Sequence, residues 1–255
     1  MHHGLTATFD PTDDAPDADA YDDEGVRHQL WVLDDRDAIE AIAAGIAAAP
    51  VVIADGHHRY ETAKAYQAER RAQNRNKPGP YDLILALIVE LAAEQLTVGA
   101  IHRTVSGLPP GFDLIGACAA WFDVVRAGPA DERTLGALAE AHSLSLVTGG
   151  SAYLLLPLEA TYEEAGSDLD SSLDSSLVAV LLSHLPAHES VHRHTVAEAL
   201  GALKSGEAQA AFLLRPVTVP QIETWAAART QMPPKTTYFS PKPRTGMVFR
   251  SLDLA

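Results

Sequence analysis

The sequence predicts an α/β (α+β) protein with a mixed sheet and flanking helices. Short apolar runs of strand length alternate along the chain with segments whose apolar residues recur at helical spacing. Of the 255 residues, 47% are apolar and 21% are charged, a composition typical of a globular chain that can bury a core. No uninterrupted apolar run reaches 18 residues, so a membrane-spanning helix is not expected.

In the first part of the chain, each predicted element follows from a local pattern. Asp34 and Asp35 offer an N-cap, Pro50 ends the helix that follows, and a polar, Pro- and Gly-containing break lies between residues 74 and 80. The predicted elements are a strand at 28–33, a helix at 37–48, a buried strand at 51–54, a helix after residue 59 and a strongly apolar strand at 83–89.

The second part continues the alternation of strands and helices. Strands are expected at 98–101, 152–156 and 209–214, and helices at 114–122, 135–142, 177–185, 196–204 and 217–228. Four prolines between residues 232 and 245 predict an ordered loop or an extended arm there.

Residues 1–24 are rich in Asp, Ala, Pro and Thr, which favours a disordered acidic leader. A single globular domain is expected over 25–255, or two subdomains that divide near residue 110 and are rejoined by 205–255. The start of the sequence lacks the pattern of a signal peptide, so a cytoplasmic protein is expected. The single cysteine, Cys118, lies in an apolar stretch that indicates a buried, structural thiol.

The net charge of −15 is unevenly distributed. Residues 1–26 and 134–192 each carry eight acidic residues and no Lys or Arg, and the rest of the chain is close to neutral. Basic residues concentrate at 59–77 and 224–252. This distribution disfavours DNA as a partner but allows a local site for a small anion.

The most informative segment is Asp55-Gly56-His57-His58-Arg59, called here the DGHHR turn. It follows a predicted strand and begins a predicted helix, whose free N–H groups and dipole favour an anion. Arg59 offers a planar fork for two phosphate oxygens, and the two histidines can donate hydrogen bonds or transfer protons. Asp55 could take a proton or hold a metal ion. The alternative is that Asp55 caps the helix and the histidines pair with surface groups.

Four segments together resemble the bacterial and archaeal family called domain of unknown function 1015. They are ADGHHRYETA (54–63), EGVRHQLWVLDD (24–35), IHRTVSGLP (101–109) and MPPKTTYFSPKPRTG (232–246). The resemblance spans roughly residues 23–252. Members usually carry a further N-terminal region, so the resemblance implies a shortened member.

The DGHHR turn also resembles the phosphate-binding motif of the ParB and sulfiredoxin superfamily. Sulfiredoxin chemistry is not implied, because His57 stands where sulfiredoxin has its cysteine. The similarity to free serine kinases implies Asp55 as catalytic base or Mg²⁺ ligand, with Gly56, His57, His58 and Arg59 as a phosphate cradle. It also implies ATP, ADP or another nucleotide together with Mg²⁺, and a serine-like or phosphoserine-like substrate.

Other basic and hydroxyl groups are candidates for the same phosphate or nucleotide. His102 and Arg103 follow a predicted strand and could face the same crevice as Asp55, or be structural. In the loop near the C terminus, the candidates are Lys235, Thr236, Thr237, Tyr238 and Lys242. That loop could instead strap the domain, with Tyr238 buried. His192 and His194 are two residues apart, and a solvated pair is favoured over a metal site.

These observations lead to three hypotheses. The first is an enzyme that binds a nucleotide or a small phosphorylated metabolite and carries out phosphoryl transfer or hydrolysis. The second is a non-catalytic, nucleotide-gated binding module of the ParB type, and the third is an inactive shortened family member. The expected partner is a small anionic ligand, neither DNA nor a membrane, and a homo-oligomer is compatible with the sequence.

Overall fold

The computed structural model describes residues 15–23, 25–48, 51–92, 96–166, 168–240, 242, 244 and 246–252. The chain divides into two compact units. Unit 1 comprises residues 1–96 and 241–255, and unit 2 comprises residues 97–240. The division therefore falls at 97 and 240, whereas the sequence suggested a division near 110 and a rejoining segment from 205. Residues 1–14, most of the expected acidic leader, and Pro50 lie outside the described residues.

Unit 1 begins with a two-stranded antiparallel hairpin, β1 (Ala18–Tyr21) and β2 (Arg27–Leu30). Arg27 donates to the Asp19 carboxylate across the hairpin, Nε to Oδ1 at 3.0 Å. His28 Nε2 lies 2.9 Å from Asp22 Oδ2. β1 lies within the segment that the sequence assigned to a disordered leader, and its one acidic residue, Asp19, pairs with Arg27 on the next strand.

Two helices and a short 3-10 helix follow in unit 1: α1 (Arg36–Ala47), α2 (His57–Gln73) and the 3-10 helix (Pro80–Asp82). Asp35 caps α1 by accepting from the Ala38 amide at 2.8 Å. Hydrogen bonds from Arg71 and from the Gly79 amide hold the pKa of Asp82 at about 2. Neither α1 nor α2 contains a buried residue.

The predictions of strands at 51–54 and 83–89 are wrong. Both segments lack regular secondary structure, and their large apolar side chains are exposed, from 37% for Ile53 to 67% for Leu83. A continuous apolar run forms a strand only when other strands pair with its edges and layers cover its faces. Within the described part of the chain, the backbone groups of residues 84–89 pair with no other backbone group.

Unit 2 contains a six-stranded antiparallel sheet with the order β5-β7-β6-β9-β4-β8. Its strands are β4 (His102–Ser106), β5 (Phe122–Pro129), β6 (Ser145–Thr148), β7 (Ser151–Pro157), β8 (Glu189–Arg193) and β9 (Ala210–Leu213). A second, two-stranded sheet pairs β3 (Thr97–Gly99) with β10 (Tyr238–Ser240) in antiparallel register.

Helices accompany the strands of unit 2, and these are α3 (Leu114–Ala119), α4 (Glu132–Glu140), α5 (Glu159–Ala165), α6 (Asp168–Ser171), α7 (Asp174–Ser183), α8 (Val196–Lys204) and α9 (Val219–Ala227). One apolar cluster, which includes Leu146, Leu181 and Phe212, is buried with α3 and α7, and a second includes Ala199 of α8. Cys118 belongs to the first cluster and is fully buried, which raises the pKa of its thiol to about 12. The prediction of a structural cysteine is confirmed.

The α/β class is confirmed, and most of the helices and strands expected in unit 2 lie close to their predicted positions. The sequence did not predict β4, β5, β6, β8, β10 or the short helices α5 and α6. β5 reads FDVVRAGP, and its exposed edge position tolerates polar residues that obscure the strand pattern. No helix among the described residues is long and apolar enough to cross a membrane.

Candidate functional site

The DGHHR turn places its five residues at the start of α2 in unit 1. Gly56 is the residue before the helix and has a left-handed backbone conformation, φ +86°. A Cβ on Gly56 would lie only 3.0 Å from Arg59 Nη2, because the guanidinium group folds back over the glycine. Glycine therefore serves two purposes here: it permits the turn and leaves space for the arginine.

The first amides of α2 are available to a ligand. No side chain caps the helix, and within the described part of the chain the N–H groups of His57, His58 and Arg59 have no hydrogen-bond partner. The first turn contains no acidic residue. A helix of 17 residues with open N–H groups and a basic first turn is an arrangement that suits an anion.

Asp55 lies directly before this helix start and is held by two cations. Its Oδ1 accepts from the Gly56 amide at 2.7 Å, and its Oδ2 lies 3.1 Å from Lys242 Nζ and 3.6 Å from Arg59 Nη2. Partial burial acts to raise the pKa of Asp55. The hydrogen bonds from Lys242 and Gly56, with the charges of Lys242 and Arg59, outweigh burial and hold that pKa below its ordinary value.

His57 and His58 occupy the first two positions of α2, and both are exposed. The structure thus brings together six of the predicted site residues, namely Asp55, Gly56, His57, His58, Arg59 and Lys242. The sequence predicted Lys242 as a phosphate-binding candidate, but it did not predict the contact of Lys242 with Asp55, 187 positions away.

The residues at the turn do not fit a protein-bound Mg²⁺ ion. Magnesium prefers several oxygen ligands, with one or two carboxylates from the protein. Asp55 already contacts an ammonium and a guanidinium group, and the described residues contain no cluster of three or more metal-ligating side chains. The expected Mg²⁺ role of Asp55 therefore lacks a ligand set among these residues.

In unit 2, His102 and Arg103 follow β3 as expected, but they are also the first two residues of a further strand, β4, which the sequence did not predict. His102 is 7% exposed and its Nδ1 accepts from the Leu214 amide at 3.1 Å. Burial lowers the pKa of His102 to about 4, with a smaller contribution from the charge of Arg103. Its ring is therefore neutral near pH 7 and joins β4 to the end of β9.

Arg103 is also 7% exposed, and its guanidinium group donates to backbone carbonyls. Nη1 donates to Ile101 O at 2.6 Å, and Nη2 donates to Lys235 O at 2.9 Å. Burial lowers the pKa of Arg103 to about 10. The structure therefore joins two of the predicted anion-binding segments of unit 2, β4 and the loop that contains Lys235.

The loop before β10 contains the remaining predicted site residues. Lys235 is exposed and has φ +61°, which is unusual for a residue other than glycine. Thr236 is buried, and its Oγ1 lies 3.0 Å from Ser175 Oγ and donates to Pro233 O. Thr237 is half-buried, as is Tyr238, whose ring lies 4.5 Å from that of His194. The buried and half-buried side chains agree with a loop that straps the domain, and the exposed Lys235 agrees with an anion site.

The sequence favoured a solvated pair for His192 and His194. In the structure, His192 on β8 lies directly opposite Arg103 on β4. No sequence motif marks this pairing, because two strands separated by 82 residues meet only in the folded sheet.

Comparisons with known proteins give distant structural similarities. A conserved hypothetical protein from Pyrococcus furiosus is 17% identical, with a TM-score of 0.43 over 73% of this chain and 68% of that protein. A variant of free serine kinase in complex with AMP is 13% identical, with a TM-score of 0.38 over 56% of this chain. The ADP complex of another variant gives 13% identity, a TM-score of 0.40 and 60% coverage of this chain. The chain spans 54% and 58% of the length of those two kinase chains.

No curated protein matches the sequence. A family model does match, over residues 2–176, which is more than half of the chain. The matched range includes the DGHHR turn and β4, whereas the loop at 232–246 lies beyond it. The superfamily relationship to ParB and sulfiredoxin stays a prediction. The chain belongs to the family described as "Protein of unknown function (DUF1015)".

Proposed function

We propose that the protein binds a nucleotide or a small phosphorylated metabolite at the DGHHR turn and carries out phosphoryl transfer or hydrolysis there. The observation that carries the proposal is the open start of α2, where three consecutive amides have no partner among the described residues and lie near Arg59 and Lys242. The three amides can donate hydrogen bonds to phosphate oxygens, and the two cationic side chains can balance the negative charge of the phosphate.

Phosphate binding would change the state of Asp55. Arg59 and Lys242 now contact the carboxylate, and a phosphate that attracts both cations would weaken those contacts. The pKa of Asp55 would then rise, because the interactions that lower it are shared with the ligand. Asp55 would thereby become a better base at the moment when the phosphate is in place, and a hydroxyl of a small acceptor such as serine, or a water molecule, would be its proton donor.

Binding is tested by the thermal stability of the protein with AMP, ADP, ATP and CTP at constant ionic strength. At least one nucleotide should raise Tm, and Arg59→Ala should remove the shift, because the guanidinium group and its contact with Asp55 are lost. Arg70→Ala is the matched control, since it removes the same charge from the last turn of α2, far from the helix start. Absence of any shift, or equal loss in both variants, would overturn the proposal.

One observation favours a second candidate, a nucleotide-binding module without turnover. The contacts from Lys242 and Gly56 keep the pKa of Asp55 low, which makes the carboxylate a weak base. Asp55→Asn separates the two candidates. If the protein is an enzyme, this variant retains nucleotide binding and loses product formation. A protein that binds nucleotide and forms no product with water or serine as acceptor is a binding module.

A further inference from the structure

A second group of basic side chains lies in unit 2, on one face of the six-stranded sheet. Arg103 of β4 and His192 of β8 are directly opposite in antiparallel register, so their side chains project from the same face. The contact between Arg103 Nη2 and Lys235 O, at 2.9 Å, brings the loop before β10 to the same place. Arg103, His192 and Lys235 are called here the cationic cluster.

The charge of this cluster is not balanced by acidic residues. Arg103 is buried, yet within the described part of the chain no carboxylate lies within 4 Å of its guanidinium group, whose partners are backbone carbonyls. The same described residues offer no hydrogen-bond or ion-pair partner to the Lys235 ammonium or the His192 ring. A buried charge without a counterion is costly, and a bound anion would remove that cost.

The electrostatics of His192 agree with this geometry. Its pKa is lowered, first by burial and then by the positive charges of Arg103, Lys235 and His194. The carboxylate of Glu198, on the neighbouring helix α8, accepts from the His194 and Thr195 amides and closes the capping box of that helix. Glu198 is therefore already engaged in capping a helix.

We propose that the cationic cluster is a binding site for a small phosphate dianion, either free phosphate or a phosphate monoester. The two full positive charges of Arg103 and Lys235 match the charge of a dianion. The guanidinium group of Arg103 has five N–H donors, of which backbone carbonyls accept from three, so two remain for phosphate oxygens. His192 supplies a third polar group on the same face of the sheet. The site consists only of residues of unit 2 and does not depend on nucleotide binding at the DGHHR turn.

The test is isothermal titration calorimetry of the full chain with inorganic phosphate and with methyl phosphate, at ionic strength fixed with NaCl. Binding should be saturable for at least one of them. Lys235→Met should weaken it by about tenfold or more, because a charge-assisted contact is lost while the apolar stem remains. Lys204→Met is the matched control, since Lys204 is an exposed lysine at the end of α8, and it should change Kd by less than about twofold.

Two further variants identify the site. His192→Gln should also weaken phosphate binding, and Arg70→Ala, which removes an exposed arginine from the last turn of α2, should leave it unchanged. Tighter binding of methyl phosphate than of phosphate would assign the site to a monoester, and the reverse order would assign it to the free ion. The proposal is overturned if no saturable binding occurs, if both lysine variants have the same effect, or if His192→Gln leaves phosphate binding unchanged. A far-UV circular dichroism spectrum equal to that of the unsubstituted protein establishes that each variant is folded.

Discussion

Residues 83–89 of unit 1 and residues 145–148 of unit 2 are both short apolar segments, yet they have opposite environments. The first, LILALIV, is exposed along its length and forms no strand. The second, SLVT, is β6, which lies between β7 and β9 and includes the fully buried Leu146. The segment with the stronger apolar pattern is the one that is not buried.

The difference shows that an apolar sequence pattern favours burial of a segment. Whether the segment is buried depends on the strands and helices that pack against it. β6 has a partner strand on each side and apolar clusters on its faces. Residues 51–54 and 83–89 have neither within the described part of unit 1. Stability from apolar burial is therefore concentrated in unit 2, at about 25 cal/mol per Å² of apolar surface removed from water.

The two arginines with proposed anion-binding roles also differ in burial. The Arg59 side chain in unit 1 is 74% exposed and contacts a carboxylate, whereas Arg103 in unit 2 is buried and contacts carbonyls. An exposed ion pair contributes little to stability, so Arg59 can exchange its partner for a ligand at small cost. The hydrogen bonds of Arg103 to Ile101 O and Lys235 O orient its guanidinium group before any ligand binds.

A matched pair of leucine substitutions is the strongest test of the contrast between the units. Leu146→Ala should lower the free energy of unfolding of unit 2 by about 4 kcal/mol, since it removes a fully buried side chain and leaves a cavity. Leu87→Ala, at a side chain that is 64% exposed, should change stability by less than about 0.5 kcal/mol. Urea denaturation followed by far-UV circular dichroism, and by the fluorescence of the buried Trp225, gives both values.

A large destabilisation by Leu87→Ala would break the comparison, because it would mean that residues 83–89 are buried in solution. Leu146→Met serves as a control that conserves volume and should cost less than about 1.5 kcal/mol.

The sequence predicted more of unit 2 than of unit 1, and the difference in burial between the units explains why. In unit 2, helical spacing predicted α8 at its observed position, and apolar runs predicted β7 and β9, because local pattern and tertiary surroundings agree there. In unit 1, the pattern at 51–54 and 83–89 predicted strands that the described surroundings do not provide. Strand β1 was missed since its stability derives from a pairing across the hairpin, including that of Asp19 with Arg27.

The candidate sites were predictable to different degrees. The DGHHR turn is contiguous in sequence, so its residue types and the glycine were sufficient to find it. Lys242 and His192 join their sites through contacts between distant parts of the chain, and no spacing rule reveals such contacts. The sequence did not predict that His102 and Arg103 begin a strand of their own, because β4 forms through pairing with the distant strands β8 and β9.

The pH dependence of stability should also differ between the units. The folded protein holds the pKa of buried His102 at about 4, below the ordinary histidine value of 6.5 that the unfolded chain retains. The unfolded chain therefore binds a proton between pH 6.5 and pH 4 that the folded chain does not, and unit 2 should lose stability, of the order of 2 kcal/mol, as the pH falls through that window. In unit 1, the lowered pKa of Asp82 stabilises the folded state in a different pH range. This stabilisation is present above pH 3.8 and is lost as the pH falls towards 2.

Urea denaturation at several values between pH 4 and pH 7.5 measures this effect. His102→Asn keeps an acceptor for the Leu214 amide and removes the titrating ring, so stability should depend less on pH in that window. An unchanged slope in the variant would assign the pH dependence to other groups and would remove this difference between the units.

Removal of a helix cap should have the smallest expected effect on the free energy of unfolding. It tests whether the effect of a cap depends on the burial of its helix. In unit 2, Thr195 and Glu198 form a capping box at the start of α8, which buries Ala199 and Ala202. In unit 1, Asp35 caps α1, which buries no residue. Thr195→Ala should therefore lower the global stability of unit 2 by about 1 kcal/mol, and Thr195→Ser should restore most of it, since the hydroxyl acceptor returns.

Asp35→Ala removes a cap of similar geometry, at 2.8 Å, from a helix without tertiary burial. Its cost should appear as a loss of helix content in far-UV circular dichroism and faster amide exchange in α1, with a change in the urea midpoint of unit 2 close to zero, because fraying of an exposed helix is a local event. If both caps shift the same cooperative transition by the same amount, α1 unfolds together with unit 2. The contrast in burial would then fail to determine how each unit responds to a local change.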